Sequence, residues 1–235
     1  VIMSPESEIV AMSKGRDHHI HVFPIAVSMK TIKDRFADEE VKPGDVFLHN
    51  DTYTGGTHLN DIAMVYPVFL NGKPFLYPVV RAHWADVGGM TYGSISGQAS
   101  EVYQEGVRIP PIRIFDGGVY NDAAQELIFA NMRIRREREG DFRAMLGTCR
   151  MAEARIKEVV DRFGIDVITE SIDQLMERNE RRMRHAISQL PQGEYYHETY
   201  MESGKVDLDP RRVFLKMTVE QDSIKADFDG SSPQS

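Results

Sequence analysis

The chain has 235 residues, 41% of them hydrophobic and 27% charged, and a net charge of −8. That is the balance of an ordinary globular protein with room for one large domain or two small ones. The acidic charge argues against a nucleic-acid binder, and no apolar run approaches the roughly 20 residues of a membrane-spanning helix.

Residues 8–12 read as a short strand, followed by a polar stretch with His18, His19 and His21 and a helical segment near 26–36. Lys42-Pro43-Gly44-Asp45 is turn chemistry leading into a strand from Val46 to Leu48. A polar loop, Asn50 to Thr57, precedes two apolar runs, 61–70 and 74–84, separated by the hairpin signal Asn71-Gly72-Lys73. Their continuous apolar character predicts a sheet buried on both faces. A second loop rich in Gly and Ser covers 86–100, and Pro110-Pro111 leads into a strand from Ile112 to Phe115.

From Asp122 to Leu190 the apolar spacing is helical, with breaks expected at Gly140 and Gly164. Alternating segments at 194–202, 211–219 and 223–229 read as three strands. The fold class expected is α+β: a β-rich metal-binding core over 1–121 containing the buried hairpin, a helical segment over 122–190, and the beginning of a further β domain over 194–235. That last stretch has too little chain for its own core, and the chain opens on Val1, so further sequence is expected at both ends.

The hairpin makes a geometric prediction. Asp61 and His83 stand equally far from Gly72, so a turn centred there sets them opposite each other. Opposed residues share a face with Cβ atoms about 4.5–5.5 Å apart. His58, three residues before Asp61, can fold over the same strand end. Two imidazoles and a carboxylate suit Mn, Fe or Zn with open positions. Asp86 is a candidate fourth ligand, an outer partner of an imidazole, or a general base. Pro67 and Pro78 threaten the register, and the competing reading is a structural hydrogen bond between His83 and Asp61 at a strand end.

The stretches Gly44-Asp45-Val46-Phe47-Leu48-His49-Asn50-Asp51, Gly55-Gly56-Thr57-His58-Leu59-Asn60-Asp61 and Arg81-Ala82-His83-Trp84-Ala85-Asp86-Val87-Gly88-Gly89 resemble the hydantoinase B/oxoprolinase family. So do Glu105 to Pro111 and the terminal Asp227 to Gln234, so the likeness runs in order along nearly the whole chain. The family includes ATP-dependent hydantoin and lactam hydrolases, 5-oxoprolinases, and large subunits of acetone and acetophenone carboxylases. The resemblance implies a metal at His58, Asp61 and His83. It also implies a hydantoinase A-type partner subunit or domain that supplies ATP and phosphorylates the amide oxygen, hence a hetero-oligomer. Thr52 and Asn60 stand where the family commonly has proline, which leaves the substrate class open. The resemblance is compatible with a cyclic amide hydrolase, a ketone carboxylase, or a non-catalytic scaffold.

His19 and His21 would converge if they lay on a strand. His49 has a substrate-side role or a packing role; Asn50 and Asp51 orient substrate or cap the loop. Glu105 and Arg108 bind an anion or form a salt bridge. The basic run Arg133, Arg135, Arg136 and Arg138 reads as a solvated helix face or a protein contact. The single cysteine, Cys149, excludes an intramolecular disulfide and a cysteine zinc cage, and reads as a buried thiol. Low cysteine use without a signal peptide points to the cytoplasm. No phosphate-binding loop is present, so ATP is expected to be bound by the partner.

Overall fold

The computed structural model describes residues 1–13, 19–37, 40–202 and 209–233, and the chain divides into two compact units, Val1–Arg162 and Phe163–Ser235. The mixed α+β class expected from sequence is what the structure has. In the first unit, β1 (Ile2–Met3), β2 (Ile9–Ala11), α1 (His19–Arg35) and β3 (Val46–His49) are followed by β4 (Asp61–Val65), β5 (Val68–Leu70) and β6 (Lys73–His83). Then come β7 (Ile112–Asp116), β8 (Val119–Tyr120), α2 (Asp122–Ala130) and α3 (Arg135–Phe163). The strands form one antiparallel sheet in the order β2-β1-β6-β4-β3-β7-β8, with β5 also paired to β6.

The sheet is buried on both faces, and strand alternation decides which residue serves which face. Ile62, Met64, Val46, Leu48, Val80 and Ala82 pack toward one core with Phe129, Phe142 and Met145 from α2 and α3. Trp84, 0% exposed, joins that side and stacks on Phe129 at 5.8 Å between centroids. Phe47, Val65, Tyr77 and Val79 pack on the other face against Ile25, Met29 and Ile32 of α1. Each such fully buried side chain stabilises the fold by about 1.5–3 kcal/mol relative to exposure.

Around the Asn71-Gly72 turn, where both residues have positive φ (51° and 77°), Leu70 pairs with Lys73 and Phe69 with Pro74. That register is centred between Asn71 and Gly72, and would set Asp61 opposite Ala82. The next pair is Val68 with Leu76, so Phe75 is an extra residue on β6 and the ladder becomes centred on Gly72. From there to Asp61 opposite His83 the pairing is unbroken along β4. The expected pair is correct, and a β-bulge rather than the turn alone brings it about.

Helix α1 begins earlier than the segment expected at 26–36 and contains Pro24. Packing of Ile25, Met29 and Ile32 stabilises the helix across a residue that lacks a backbone donor. His19 and His21 therefore belong to a helix, and strand alternation does not bring them together. His18 and the side chain of His19 lie outside the described residues.

Gly140 does not break the helical region but lies inside α3, whereas Gly164, at φ 86°, separates α3 from α4 (Ile165–Ser188). Cys149 is fully buried, and burial pushes its thiol up to about 12. The basic run is not a single solvated face. Arg138 is buried and pairs with Asp141 at 3.0 Å, Arg135 bridges Glu126 and Glu139, and Arg133 turns to the glycine-rich loop.

The second unit holds α4 and an antiparallel sheet of β9 (Gly193–Met201), β10 (Arg211–Glu220) and β11 (Ser223–Asp227), in the order β11-β10-β9. Among its described residues, only Val219 is a buried hydrophobic. His185 and His197 are exposed. No helix of the described residues is long and apolar enough to cross a membrane.

Candidate metal centre and the loops around it

Asp61 opens β4 and His83 closes β6, and their cross-strand pairing puts both side chains on the α1 side of the sheet. Asp61 is fully buried. Its Oδ1 lies 2.7 Å from His83 Nδ1, and its Oδ2 lies 3.2 Å from His58 Nδ1 while accepting from the His58 backbone N–H at 3.0 Å. The two imidazoles meet edge to face at 5.6 Å and are about half exposed. One ligand atom from each of the three residues falls within 4.8 Å of the other two. Two borderline nitrogen donors and a carboxylate at that spacing fit a divalent ion with bonds of about 2.0–2.2 Å. The buried carboxylate closes one side, and the exposed imidazoles leave the other side open.

The loop between β3 and β4 is tied at both ends. Gly55, with φ 123°, approaches α1 so closely that an added Cβ would stand 2.7 Å from Ser28 N. Asn50, 0% exposed, donates to Leu59 O at 2.6 Å and Val107 O at 2.9 Å, and accepts from Ile109 N at 2.6 Å. One side chain thus binds the His58 loop to residues 107–109. Asn60 donates to Trp84 O at 2.7 Å and Gly93 O at 3.4 Å, bonds that join the start of β4 to the end of β6 and to the glycine-rich loop. A proline here would lack both bonds.

The structure places the remaining candidates around the trio rather than within it. His49 is fully buried, with Nδ1 at 3.0 Å from Ser28 Oγ and Nε2 at 2.9 Å from Thr54 Oγ1. Burial, with Arg81 adding to it, lowers its pKa to about 4, so it is neutral at pH 7. Asp51 caps the 3₁₀ turn Thr52–Thr54 and accepts from Arg108 at 2.9 Å; the Arg108 guanidinium also lies over the Tyr53 ring. Arg108 therefore forms a salt bridge whose partner is Asp51, a pairing the sequence did not single out. Asp86, 1% exposed, accepts from Gly88 N (2.9 Å), Gly93 N (2.9 Å) and Arg133 Nη1 (3.0 Å). Burial pushes its pKa up, but the bonds from Gly93, Gly88 and Arg133 outweigh burial and hold it below the usual carboxylate value. Arg133 also donates to the carbonyls of Gly88, Gly89 and Thr91, locking the loop.

Sequence reasoning missed Arg81, Ser28 and Arg133. Arg81 lies two residues before His83 on the same face of β6, a relation the strand period contains. Ser28 and Arg133 reach their partners only through the packing of α1 and the α2–α3 connection, and no local pattern marks them.

The family model for hydantoinase B/oxoprolinase matches residues 1–235. The caprolactamase subunit beta of Pseudomonas jessenii is 35% identical over 182 residues, covering 77% of this chain and 31% of that protein. The acetophenone carboxylase delta subunit of Aromatoleum aromaticum is 25% identical over 235 residues, 99% of this chain and 34% of that one. The crystal structure of the ATP-dependent caprolactamase from P. jessenii superposes with a TM-score of 0.82 at 30% identity, over 88% of this chain and 36% of that chain. The chain therefore spans about a third of the length of each of these chains. The chain belongs to the hydantoinase B/oxoprolinase family.

Proposed function

We propose that this chain is the metal-holding part of an ATP-dependent cyclic amide hydrolase acting on a hydantoin, a lactam or 5-oxoproline. The observation that carries this reading is the convergence of His58, Asp61 and His83, with both imidazoles open to solvent. A divalent ion (Mn, Zn or Fe) bound there supplies Lewis-acid activation of water near neutral pH. Asp61 presents one oxygen to each imidazole and orients both rings.

His49, Asp51 and Asp86 act as positioning residues. His49 holds α1 to the loop bearing His58, Asp51 holds Arg108, and Asp86 with Arg133 holds the glycine-rich loop. A general-base role for Asp86 would require freeing an oxygen from these bonds. ATP is handled by a hydantoinase A-type partner subunit or domain, so the working form is a cytoplasmic hetero-oligomer. The second reading, a ketone carboxylase, draws support from the alignment with the acetophenone carboxylase subunit over 99% of this chain. The trio serves both reactions.

Metal content and affinity of the wild type against His83→Ala and Asp61→Ala test the proposal. Loss of an inner ligand is expected to weaken metal binding by at least about 100-fold, roughly 3 kcal/mol, with substrate-dependent ATP turnover in the presence of the partner falling alongside. Wild type without metal, or variants that retain it, would sink the site and bring the scaffold reading forward. Turnover with lactams against ketone plus bicarbonate separates the two enzymatic readings.

A further inference from the structure

The loops flanking the trio present an arginine whose hydrogen-bonding capacity the fold only partly uses. One side-chain nitrogen of Asn50 joins the carbonyls of Leu59 and Val107, so the segments carrying His58 and Arg108 run side by side. Leu59, Val107 and Ile109 pack into the core beneath them. His58 and Arg108, next to these in sequence, face outward, with side chains 51% and 36% exposed.

Arg108 is held from one side only. Its Nη2 donates to Asp51 Oδ2 at 2.9 Å, while Asp51 Oδ1 is fixed by the Tyr53 backbone N–H at 3.1 Å. Nη2 carries two hydrogens and belongs to both forks of the guanidinium, one shared with Nη1 and the other with Nε. The single bond to Asp51 therefore leaves one fork complete, and Nε and Nη1 have no acceptor among the described residues. The guanidinium stands at the surface, where a ligand can reach it. A complete fork is the geometry that pairs with a phosphoryl or carboxylate group.

Two exposed rings flank this cation. Tyr53 lies 5.5 Å from the guanidinium carbon to its ring centroid and is 63% exposed; Tyr103 is 72% exposed. Asp51 favours the charged form of Arg108 most, by its hydrogen bond and its charge, and the Tyr103 and Tyr53 phenols add to this. Neither phenol hydroxyl has a hydrogen-bond partner among the described residues. Tyr103 sits in the 3₁₀ turn Val102–Gln104, which is braced where Met90 N donates to Gln104 O at 2.7 Å and Val107 N to Val87 O at 2.8 Å. An oriented cation and two phenol donors thus stand on supported backbone, the arrangement that recognition of a ligand requires.

We propose that the open fork of Arg108, with the hydroxyls of Tyr53 and Tyr103 beside it, is an anion-recognition site at the rim of the metal trio, taking a phosphoryl or carboxylate group. The inference rests on the proposed function only in identifying the bearer of that group as substrate, activated intermediate or product. Asp51 offsets part of the positive charge, so selectivity comes from the shape of the fork and the phenol donors. An oxyanion is common to a phosphorylated amide, an amino-acid product and bicarbonate, and the site serves either enzymatic reading.

The test is titration of the metal-free chain with inorganic phosphate and with acetate at constant ionic strength, followed by calorimetry and by NMR of the arginine Nε–H signals. Removing metal keeps the anions from coordinating at the trio. Wild type is expected to show a saturable shift of the Arg108 signal, identified by its loss in Arg108→Lys. The signal of Arg135, an exposed arginine already paired with Glu126 and Glu139, is expected to stay in place. Arg108→Lys keeps the charge without the fork and should bind at least about fivefold more weakly. Tyr53→Leu leaves the Asp51–Arg108 pair intact and should weaken binding about threefold. Phosphate as the better ligand identifies a phosphoryl group; acetate identifies a carboxylate. No saturable shift at Arg108 with either anion, an equal shift at Arg135, or undiminished binding in the folded variants overturns the proposal. Metal affinity measured separately on the same preparations keeps the two readings apart: anion binding without metal affinity would sink the metal site and leave this one standing, and the reverse result would do the opposite.

Discussion

The two faces of the β4–β6 strand pair are made from alternate residues of the same eleven-residue strand and its neighbour, yet they do opposite things. Toward α2 and α3 lie Ile62, Met64, Val80 and Ala82, an apolar surface without a titratable group. Toward α1 the apolar residues Val65, Tyr77 and Val79 give way, at the far end of the strands, to Asp61, Arg81 and His83. The first face holds the strands rigid; the second uses that rigidity to hold Asp61 opposite His83. Because a one-residue slip exchanges the faces, the core that defines the register also protects the site.

Breaking the apolar face should have the largest effect on the fold and the smallest on the site. Met64→Ala is expected to lower stability by about 2–5 kcal/mol in denaturant titration, while the folded fraction keeps its metal stoichiometry. Equal loss of metal per folded molecule would show that the two faces are not separable.

Acidification probes the polar side. His49 has a folded pKa of about 4 against an ordinary 6.5, so between these values the unfolded chain binds the extra proton. Stability is full above pH 6.5 and declines as pH falls toward 4, by on the order of 3 kcal/mol in all. His49→Gln should flatten that window, and an unchanged slope would remove His49 as its source. Asp86 adds to the acid loss at lower pH in the same direction, since its folded pKa is depressed.

The smallest expected effect lies at the rim. Asp86→Asn keeps the shape but loses the charge that pairs with the partly exposed Arg133, at a cost of about 1–2 kcal/mol. Faster amide exchange confined to residues 88–93, with the metal retained, is the expected signature. Loss of metal instead would make Asp86 part of the ion's immediate surroundings.

Much of this was legible in the amino-acid order because alternation and turn chemistry are local. The Asn-Gly turn, the apolar runs on either side and the equal spacing of Asp61 and His83 from Gly72 singled out the right pair, although the ladder reaches that register through a bulge. The helical spacing after Asp122 announced α2 to α4, and Gly164 marked a true break because its positive φ suits glycine. Gly140 marked none, since a glycine at ordinary helical angles costs only about 1 kcal/mol, which neighbouring packing outweighs.

What tertiary structure alone decided is what depends on contacts between distant segments. The bulge at Phe75 corrected a turn that by itself would have set Asp61 against Ala82. His49 is buried against Ser28 and neutral at pH 7, and Arg133 comes 47 residues along the chain to close on Asp86. Sequence periodicity specifies which face a side chain occupies; only packing determines which of its hydrogen-bonding groups are already spent.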